Sequence, residues 1–160
     1  MVNEVANKTE DKMNLTASLG GNERLLEMQT FLDELRNASI PVKIVSTSWY
    51  PITEAQWQEY LFYVSDLLNL GFFKDEILAV EDPGEGLSAD KGRRIRKDQG
   101  DSDDETPSEM KPFYSDVMFA DDSTGNIKSA LKVCNLLYMV ERKGLGKSDM
   151  DYIKKAAELI

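Results

Sequence analysis

The chain has 160 residues, of which 41% are hydrophobic and 30% charged, and its formal net charge at pH 7 is −10. This length corresponds to one domain with enough apolar residues to build a core. Nucleic-acid binding depends on clustered lysine and arginine, so an acidic chain whose basic residues are mostly dispersed argues against that class of function.

Residue types needed by several classes of site are missing or scarce. Histidine is absent, which excludes His-based triads, HExxH zinc sites and imidazole general bases. Cys134 is the only cysteine, so there is no disulfide framework and no CxxC metal site. No stretch is apolar enough to span a bilayer, and the polar N-terminus carries no signal-peptide core. We therefore predict a cytoplasmic protein without membrane contacts.

The first half of the chain predicts a helix–strand–helix–strand order. Residues 1–18 are polar and indicate a mobile N-terminal segment ahead of a folded domain at residues 19–160. Leucines recur at helical spacing from Asn22 to Asn37. A strand follows over Val42 to Val45, then a helix opened by a capping box between Thr53 and Gln56. Ile77 to Val80 is short and apolar, which is typical of a buried strand.

The second half contains a mobile acidic insertion and the most informative stretch. Lys91 opens a short basic segment, and residues 98–110 hold many acids without a supporting strand. Val117 to Ala120 then read as a buried strand, followed at once by Asp121 and Asp122. Ser123 or Thr124 can cap the next helix. A strand over Leu136 to Val140 and a final helix starting near Ser148 complete the order.

This alternation predicts an α/β fold in which a parallel sheet carries helices on both faces. Right-handed crossovers place the carboxyl ends of all its strands on one rim. The hydroxyls after the first strand, Lys91 and the aspartate pair are therefore expected to meet in one cleft. Asp121 and Asp122 could hold a hard cation such as Mg²⁺ there. Alternatively, the two acids simply favour the N-terminus of the next helix through its dipole.

Three segments resemble motifs of one family. The stretch VKIVSTS, the lysine that opens a helix, and the stretch DVMFADDSTGNIKSA look like the second, third and fourth motifs of the haloacid dehalogenase-like (HAD) superfamily. The resemblance covers about residues 19–160. It implies a three-layer Rossmann-like sandwich and Mg²⁺-dependent hydrolysis of a small phosphorylated substrate or a phosphoprotein.

The resemblance also implies roles for particular residues. Ser46, with Thr47 as the alternative, would hydrogen-bond a phosphoryl oxygen. Lys91 would balance the phosphoryl charge, with Lys97 and Lys111 as rival candidates. By the same resemblance, the metal ligands would be Asp121 and Asp122.

The nucleophile expected from that family is not found. It would be the first aspartate of a D-x-D motif at the end of a strand that precedes the helix at Asn22 to Asn37. Between Met1 and Gly21 no D-x-D occurs, and the acids there, Glu4, Glu10 and Asp11, follow no apolar strand. The first, central strand of the sheet is thus missing or atypical. Met13 to Leu19 could fill that place, although its strand pattern is weak.

Three explanations fit this departure: a fragment or mis-started gene model, a partner chain that supplies the strand, or a pseudoenzyme without its nucleophile. Two functions therefore stay open. One is a Mg²⁺-dependent phosphatase domain that is incomplete or weakly active, because a phosphoaspartyl intermediate requires a carboxylate placed for in-line attack. The other is a non-catalytic protein on the same fold that binds phosphate or a partner.

Overall fold

The structure, a computed structural model, describes residues 2–84, 89–101, 105–140 and 144–159. Helices and strands alternate through most of these ranges. The helices are α1 (Val2–Ser18), α2 (Asn22–Asn37), α3 (Glu54–Leu67), α4 (Lys91–Asp98), α5 (Thr124–Ser129) and α6 (Lys147–Ala156). The strands are β1 (Ile44–Thr47), β2 (Ile77–Val80), β3 (Tyr114–Asp121) and β4 (Cys134–Tyr138).

The chain divides into two compact units. Unit 1 comprises Met1–Lys43, Glu59–Ile77 and Gly146–Ile160, and unit 2 comprises Ile44–Gln58 and Leu78–Leu145. All the residues singled out for phosphate and metal binding therefore belong to unit 2.

Unit 1 is largely helical. In it, α2 packs against α1 and α6, and Lys154 of α6 pairs with Glu34 of α2 at 3.0 Å. The Gln29 amide donates a hydrogen bond of 2.8 Å to the Leu68 carbonyl oxygen, which ties α2 to the end of α3. The leucine-rich face of α2 is buried as its spacing predicts, through Leu25, Phe31, Leu32 and Leu35.

The N-terminal segment is helical in the structure. Helix α1 covers Val2–Ser18, most of the segment that the sequence marks as mobile, and its mobility stays a prediction. The Tyr63 hydroxyl donates to the Asp11 carboxylate at 2.9 Å within unit 1. Because residues 13–18 belong to this helix, they do not supply the missing strand that their weak pattern suggested.

Unit 2 contains two small parallel sheets. One pairs β1 with β2, and the backbone N–H of Ser48 donates to the Val80 carbonyl oxygen at 2.8 Å where both strands end. The other pairs β3 with β4, and Asp121 lies opposite Tyr138. The predicted α/β class is confirmed. Across the described ranges, however, the strands form two separate two-stranded sheets rather than one continuous sheet.

A helix layer covers strands from both sheets. Helix α4 packs against β1 and against α5. Its Ile95 belongs to the buried cluster of unit 2, which also contains Phe119 of β3, and Val45 of β1 packs against that cluster. The remaining buried members are Ala130, Val133 and Cys134. Apolar burial therefore links the two sheets, although no ladder hydrogen bond joins them among the described residues.

The predicted elements are close to those observed. Helix α2 and strand β2 have the predicted bounds, and the capping box before α3 is present in both directions, at 3.1 and 3.2 Å. Strand β4 starts two residues before the predicted Leu136. The backbone N–H of Tyr114 bonds the Val133 carbonyl oxygen at 2.7 Å, so pairing with β3 draws Cys134 into the strand.

Helices α4 and α5 touch at a glycine. A β-carbon at Gly92 would lie 2.0 Å from the Ser129 carbonyl oxygen, whereas the backbone N–H of Gly92 bonds the Ser129 hydroxyl at 3.3 Å. Any larger side chain would push the two helices apart. Gly92 directly follows Lys91, so the close approach of the two helices also fixes the position of the Lys91 backbone.

Replacing Gly92 with alanine should destabilise the protein by roughly 2 kcal/mol or more, because the added methyl group overpacks a backbone contact. Urea unfolding followed by circular dichroism measures the change. Gly125→Ala is the matched control in α5, where the nearest atom to a new β-carbon is 3.7 Å away. It should be neutral or stabilise by up to about 1 kcal/mol. Equal effects of the two substitutions would contradict the close contact.

Candidate functional site

The site forms where β3 ends and α5 begins. Asp121 is the last residue of β3 and is buried. Ser123 caps α5, and its hydroxyl accepts the backbone N–H of Asn126 at 3.4 Å. The apolar run of β3 carries Asp121 into the interior, and the cap turns the chain at once into a helix. A carboxylate is thereby placed at the end of the strand, inside unit 2.

Four hydrogen bonds converge on the Asp121 carboxylate. Its Oδ1 atom accepts the backbone N–H of Ser123 at 2.8 Å and the Asn126 amide Nδ2 at 3.2 Å. Its Oδ2 atom accepts Lys91 Nζ at 2.9 Å and the same Asn126 nitrogen at 3.2 Å. A carboxylate offers about four acceptor positions, so these donors use its capacity fully.

Lys91 reaches this carboxylate from the first turn of α4. The Asp90 side chain caps that helix by accepting the backbone N–H of Arg93 at 2.9 Å. Only 10% of the Lys91 side chain and 8% of the Asp121 side chain is exposed. The Lys91 ammonium also lies 5.9 Å from the centre of the Phe119 ring. The two residues form a buried ion pair whose charges compensate each other.

The pKa of Asp121 reflects this balance. Burial is the largest single influence and by itself would raise the pKa. The hydrogen bond and charge of Lys91, the backbone N–H of Ser123 and the Asn126 amide act in the other direction, and together they lower the pKa of Asp121 below its ordinary value. The carboxylate therefore stays ionised at neutral pH despite its burial.

The structure distinguishes Lys91 from Lys97 and Lys111, the two other lysines considered for the site. Lys97 is exposed, and Lys111 lies 3.9 Å from a carboxylate oxygen of Asp101 in unit 2. Part of the acidic insertion, residues 102–104, lies outside the described residues. Among the three lysines considered, the contact with Asp121 is made by Lys91.

The predicted phosphate-binding hydroxyls lie on β1. The Ser46 hydroxyl accepts the Trp57 indole N–H at 3.0 Å, which leaves its own hydrogen available for donation. Thr47 ends the strand and, like Ser46, is half-buried. Ser48 is more buried and donates to the Ile52 carbonyl oxygen at 2.8 Å. Lys91 and Asp121 are thus in direct contact, whereas Ser46 is bonded to Trp57 instead of either of them.

The aspartate pair offers only part of a metal site. Asp122 is partly exposed next to Asp121. Within the described ranges, no group of three or more aspartate, glutamate or cysteine side chains is arranged to hold a metal ion. A cation bound directly to Asp121 would compete with Lys91 and Asn126 for its oxygens. Mg²⁺ commonly uses one or two carboxylates and keeps several waters, so the side-chain chemistry of Asp121 and Asp122 fits this ion. The hydrogen bonds that already occupy the Asp121 oxygens oppose its binding.

Sequence reasoning missed one residue of this site. Asn126 contacts both oxygens of Asp121 from the first turn of α5. The available signal was its spacing, five residues after the aspartate and three after the Ser123 cap, since an amide in the first helical turn can reach back over the helix start. The backbone N–H of Ser123 also bonds Asp121, but the sequence cannot indicate this contact because almost every residue type carries a backbone N–H.

Comparison with protein-family models, with curated proteins and with solved structures finds no match to this chain. The HAD resemblance therefore rests on the three motif segments alone. Throughout the described ranges, no helix is long and apolar enough to cross a membrane. Two surface cavities of about 370 and 320 Å³ are lined by residues of unit 1. Because their linings contain none of the motif residues, we place the candidate site at the Lys91–Asp121 pair.

The depressed pKa of Asp121 predicts how stability depends on pH. Its contribution should be complete above the unfolded-state pKa of about 3.9. That contribution should be lost as the pH falls through the lower pKa of the folded protein. Asp121→Asn should unfold about 3–5 kcal/mol more easily at pH 7, because Lys91 is left buried without its counter-ion. Urea unfolding at a series of pH values from 7 to 2 measures both effects.

Asp116→Asn is the control for this experiment, since Asp116 lies on the same strand but is exposed. It should change the free energy of unfolding by no more than about 0.5 kcal/mol at any pH. A parent protein and an Asp121→Asn variant that lose the same stability on acidification would show that Asp121 contributes nothing to the pH dependence.

Proposed function

We propose that unit 2 is a HAD-like phosphate-binding module that uses Mg²⁺ and that this chain alone turns phosphate esters over weakly or not at all. Its ligand is a small phosphorylated molecule or a phosphoprotein. The observation that carries the proposal is the lysine ammonium held against a strand-end carboxylate, with Asp122 beside it. The two sheets are, in this proposal, parts of a three-layer Rossmann-like sandwich.

The charge arrangement supports phosphate binding. Phosphoryl transfer passes through a loose transition state, so a site for it mainly positions the group and neutralises its oxygens. Lys91 supplies a cation whose position is set by Asp121, Gly92 and the cap of α4. Ser46 supplies a hydroxyl hydrogen on a neighbouring element, because α4 packs against β1.

The metal would be held by Asp121 and Asp122. Bound there, Mg²⁺ would neutralise phosphoryl oxygens and help to orient the ligand. Asn126 and the backbone of Ser123 would keep the Asp121 carboxylate oriented whether or not the ion is bound, since both donors come from the start of α5.

Turnover is expected to be weak because no acid that precedes α2 is placed to act as the nucleophile. Glu4, Glu10 and Asp11 belong to helix α1 in the structure and to unit 1, so they are not strand-end carboxylates of unit 2. Cys134 does not replace them. Its thiol is buried, and burial raises its pKa, so the nucleophilic thiolate is disfavoured at neutral pH. A covalent phosphoryl intermediate needs an activated nucleophile in line with the leaving group.

The second candidate is a non-catalytic protein that recognises a partner on the same scaffold. The observation in its favour is that hydrogen bonds occupy all acceptor positions of the Asp121 carboxylate. A buried ion pair without a free acceptor holds α4 against β3 and offers no position for a ligand. In that case neither Mg²⁺ nor phosphate would bind at Asp121. The two candidates therefore differ in a direct binding measurement.

Mg²⁺ should bind the purified protein weakly, because Lys91 competes for the same carboxylate, and Asp121→Ala should abolish the binding. Isothermal titration with Mg²⁺ alone measures it. Asp122→Ala should weaken binding without removing the buried ion pair, and Asp116→Ala should leave it unchanged because that carboxylate is exposed on β3. Circular dichroism of each variant separates lost binding from lost folding. An unchanged titration in a folded Asp121→Ala variant would remove the metal assignment.

Hydrolysis of p-nitrophenyl phosphate by this chain with Mg²⁺ should not exceed the uncatalysed rate, because the acids that precede α2 lie in helix α1 and not at a strand end of unit 2. Release of p-nitrophenol measures the rate. Inorganic phosphate should still bind, and Lys91→Met should lose that binding while Lys97→Met, at an exposed position, keeps it. Robust turnover that survives Asp121→Ala would place the active site elsewhere.

A further inference from the structure

We propose that Trp49 and Tyr50, two exposed aromatic residues of unit 2, form a stacking surface for the base of a nucleoside monophosphate. The phosphate of that ligand would lie at Ser46 and Lys91, so this inference rests on the proposed phosphate binding and names its ligand class. Trp49 and Tyr50 closely follow the end of β1, and they are 71% and 68% exposed. Large aromatic side chains are mostly buried in folded proteins, so two consecutive exposed ones indicate a binding surface.

The Tyr50 ring is supported by the loop that follows β2. A β-carbon at Gly84 would lie 2.9 Å from Cδ2 and 3.0 Å from Cε2 of that ring, so the ring rests directly on the Gly84 backbone. The backbone N–H of Gly84 donates to the Asp82 carboxylate at 2.8 Å, and the backbone N–H of Asp82 donates to the Ser48 hydroxyl at 3.4 Å. Ser48 is buried and in turn donates to the Ile52 carbonyl oxygen. These bonds join the two loops and fix an exposed ring in place.

Trp49 lies beside the predicted phosphate-binding hydroxyl. Its ring packs edge-on against the Trp57 indole, with ring centres 5.3 Å apart and ring planes 64° apart. The Trp57 indole N–H donates to the Ser46 hydroxyl at 3.0 Å. Ser46 and Trp49 therefore contact the same indole, and no more than that indole separates them. A nucleoside monophosphate has one ribose between its base and its phosphate, which can span this separation.

A single nucleotide fits these observations better than other phosphorylated ligands. Every base has a planar face that stacks on an aromatic side chain, whereas a sugar phosphate has no planar ring to stack. A phosphotyrosine carries its ring directly on a phosphate oxygen, so it spans the Trp57 indole less well. A polynucleotide is disfavoured because the chain has a net charge of −10, which repels a long phosphate backbone.

The test compares AMP, ribose phosphate and inorganic phosphate by isothermal titration of the full chain with Mg²⁺ present. AMP should bind about tenfold tighter than ribose phosphate, because stacking of one base on an aromatic side chain supplies a gain of that order. Trp49→Ala should remove this difference and leave the affinity for inorganic phosphate unchanged. Phe113→Ala should keep the difference, because Phe113 is also exposed in unit 2 but precedes β3 instead of following a strand.

Tryptophan fluorescence gives a readout that depends on the stacking itself. Trp49 and Trp57 are the two tryptophans of the chain. In a Trp57→Phe variant, where Trp49 is the remaining tryptophan, saturating AMP should quench the emission and ribose phosphate should not. In a Trp49→Phe variant the quenching should be largely lost. AMP should nevertheless keep its advantage over ribose phosphate there, because phenylalanine still offers a ring for stacking.

The outcomes distinguish this inference from the proposed function. If inorganic phosphate binds but AMP binds no tighter than ribose phosphate, the stacking surface is overturned and phosphate binding stands. An AMP advantage that persists in Trp49→Ala, with circular dichroism showing a folded variant, would also overturn it. If neither inorganic phosphate nor AMP binds, the proposed function and this inference fail together.

Discussion

The buried contact between Lys91 and Asp121 is the constraint on which the candidate site depends. A lysine and an aspartate removed from water destabilise a protein unless each compensates the other and the remaining acceptor positions are filled. Here Asn126 and the backbone of Ser123 fill them. The start of α4 and the end of β3 must therefore stay together, or the protein carries an isolated buried charge.

Packing around the pair enforces the same geometry. Gly92 brings α4 against α5 with a separation that admits no side chain. Arg96, one turn further along α4, is buried and donates to the carbonyl oxygens of Pro112 and Lys132, at 2.7 and 3.0 Å. These carbonyls precede β3 and β4. Arg96 thus holds α4 where β3 and β4 begin, and Lys91 holds it where β3 ends. Helix α4 is therefore attached to both ends of this sheet, and a change at any of these contacts would shift Lys91.

The same helix explains why the two sheets can coexist without pairing. Apolar burial under α4 and α5 is non-directional and does not require β1 to pair with β3. Backbone hydrogen bonds are directional and need a neighbour at strand spacing. Unit 2 can therefore have a joined core and still keep two unpaired strand edges.

The sequence by itself determined the helices, most strand positions, the α/β class and the choice of Lys91 and Asp121 as candidates. Those features depend on short-range causes: helical spacing of leucines in α2, the Thr53 and Gln56 capping box, and the apolar run of β3. Only the tertiary structure decided that Lys91 rather than Lys97 or Lys111 contacts Asp121, that Asn126 joins them, and that β1 and β3 are not paired within the part of the chain that the structure describes. These outcomes depend on which distant segments meet, and neither residue spacing nor composition encodes a contact between Lys91 and Asp121, 30 positions apart.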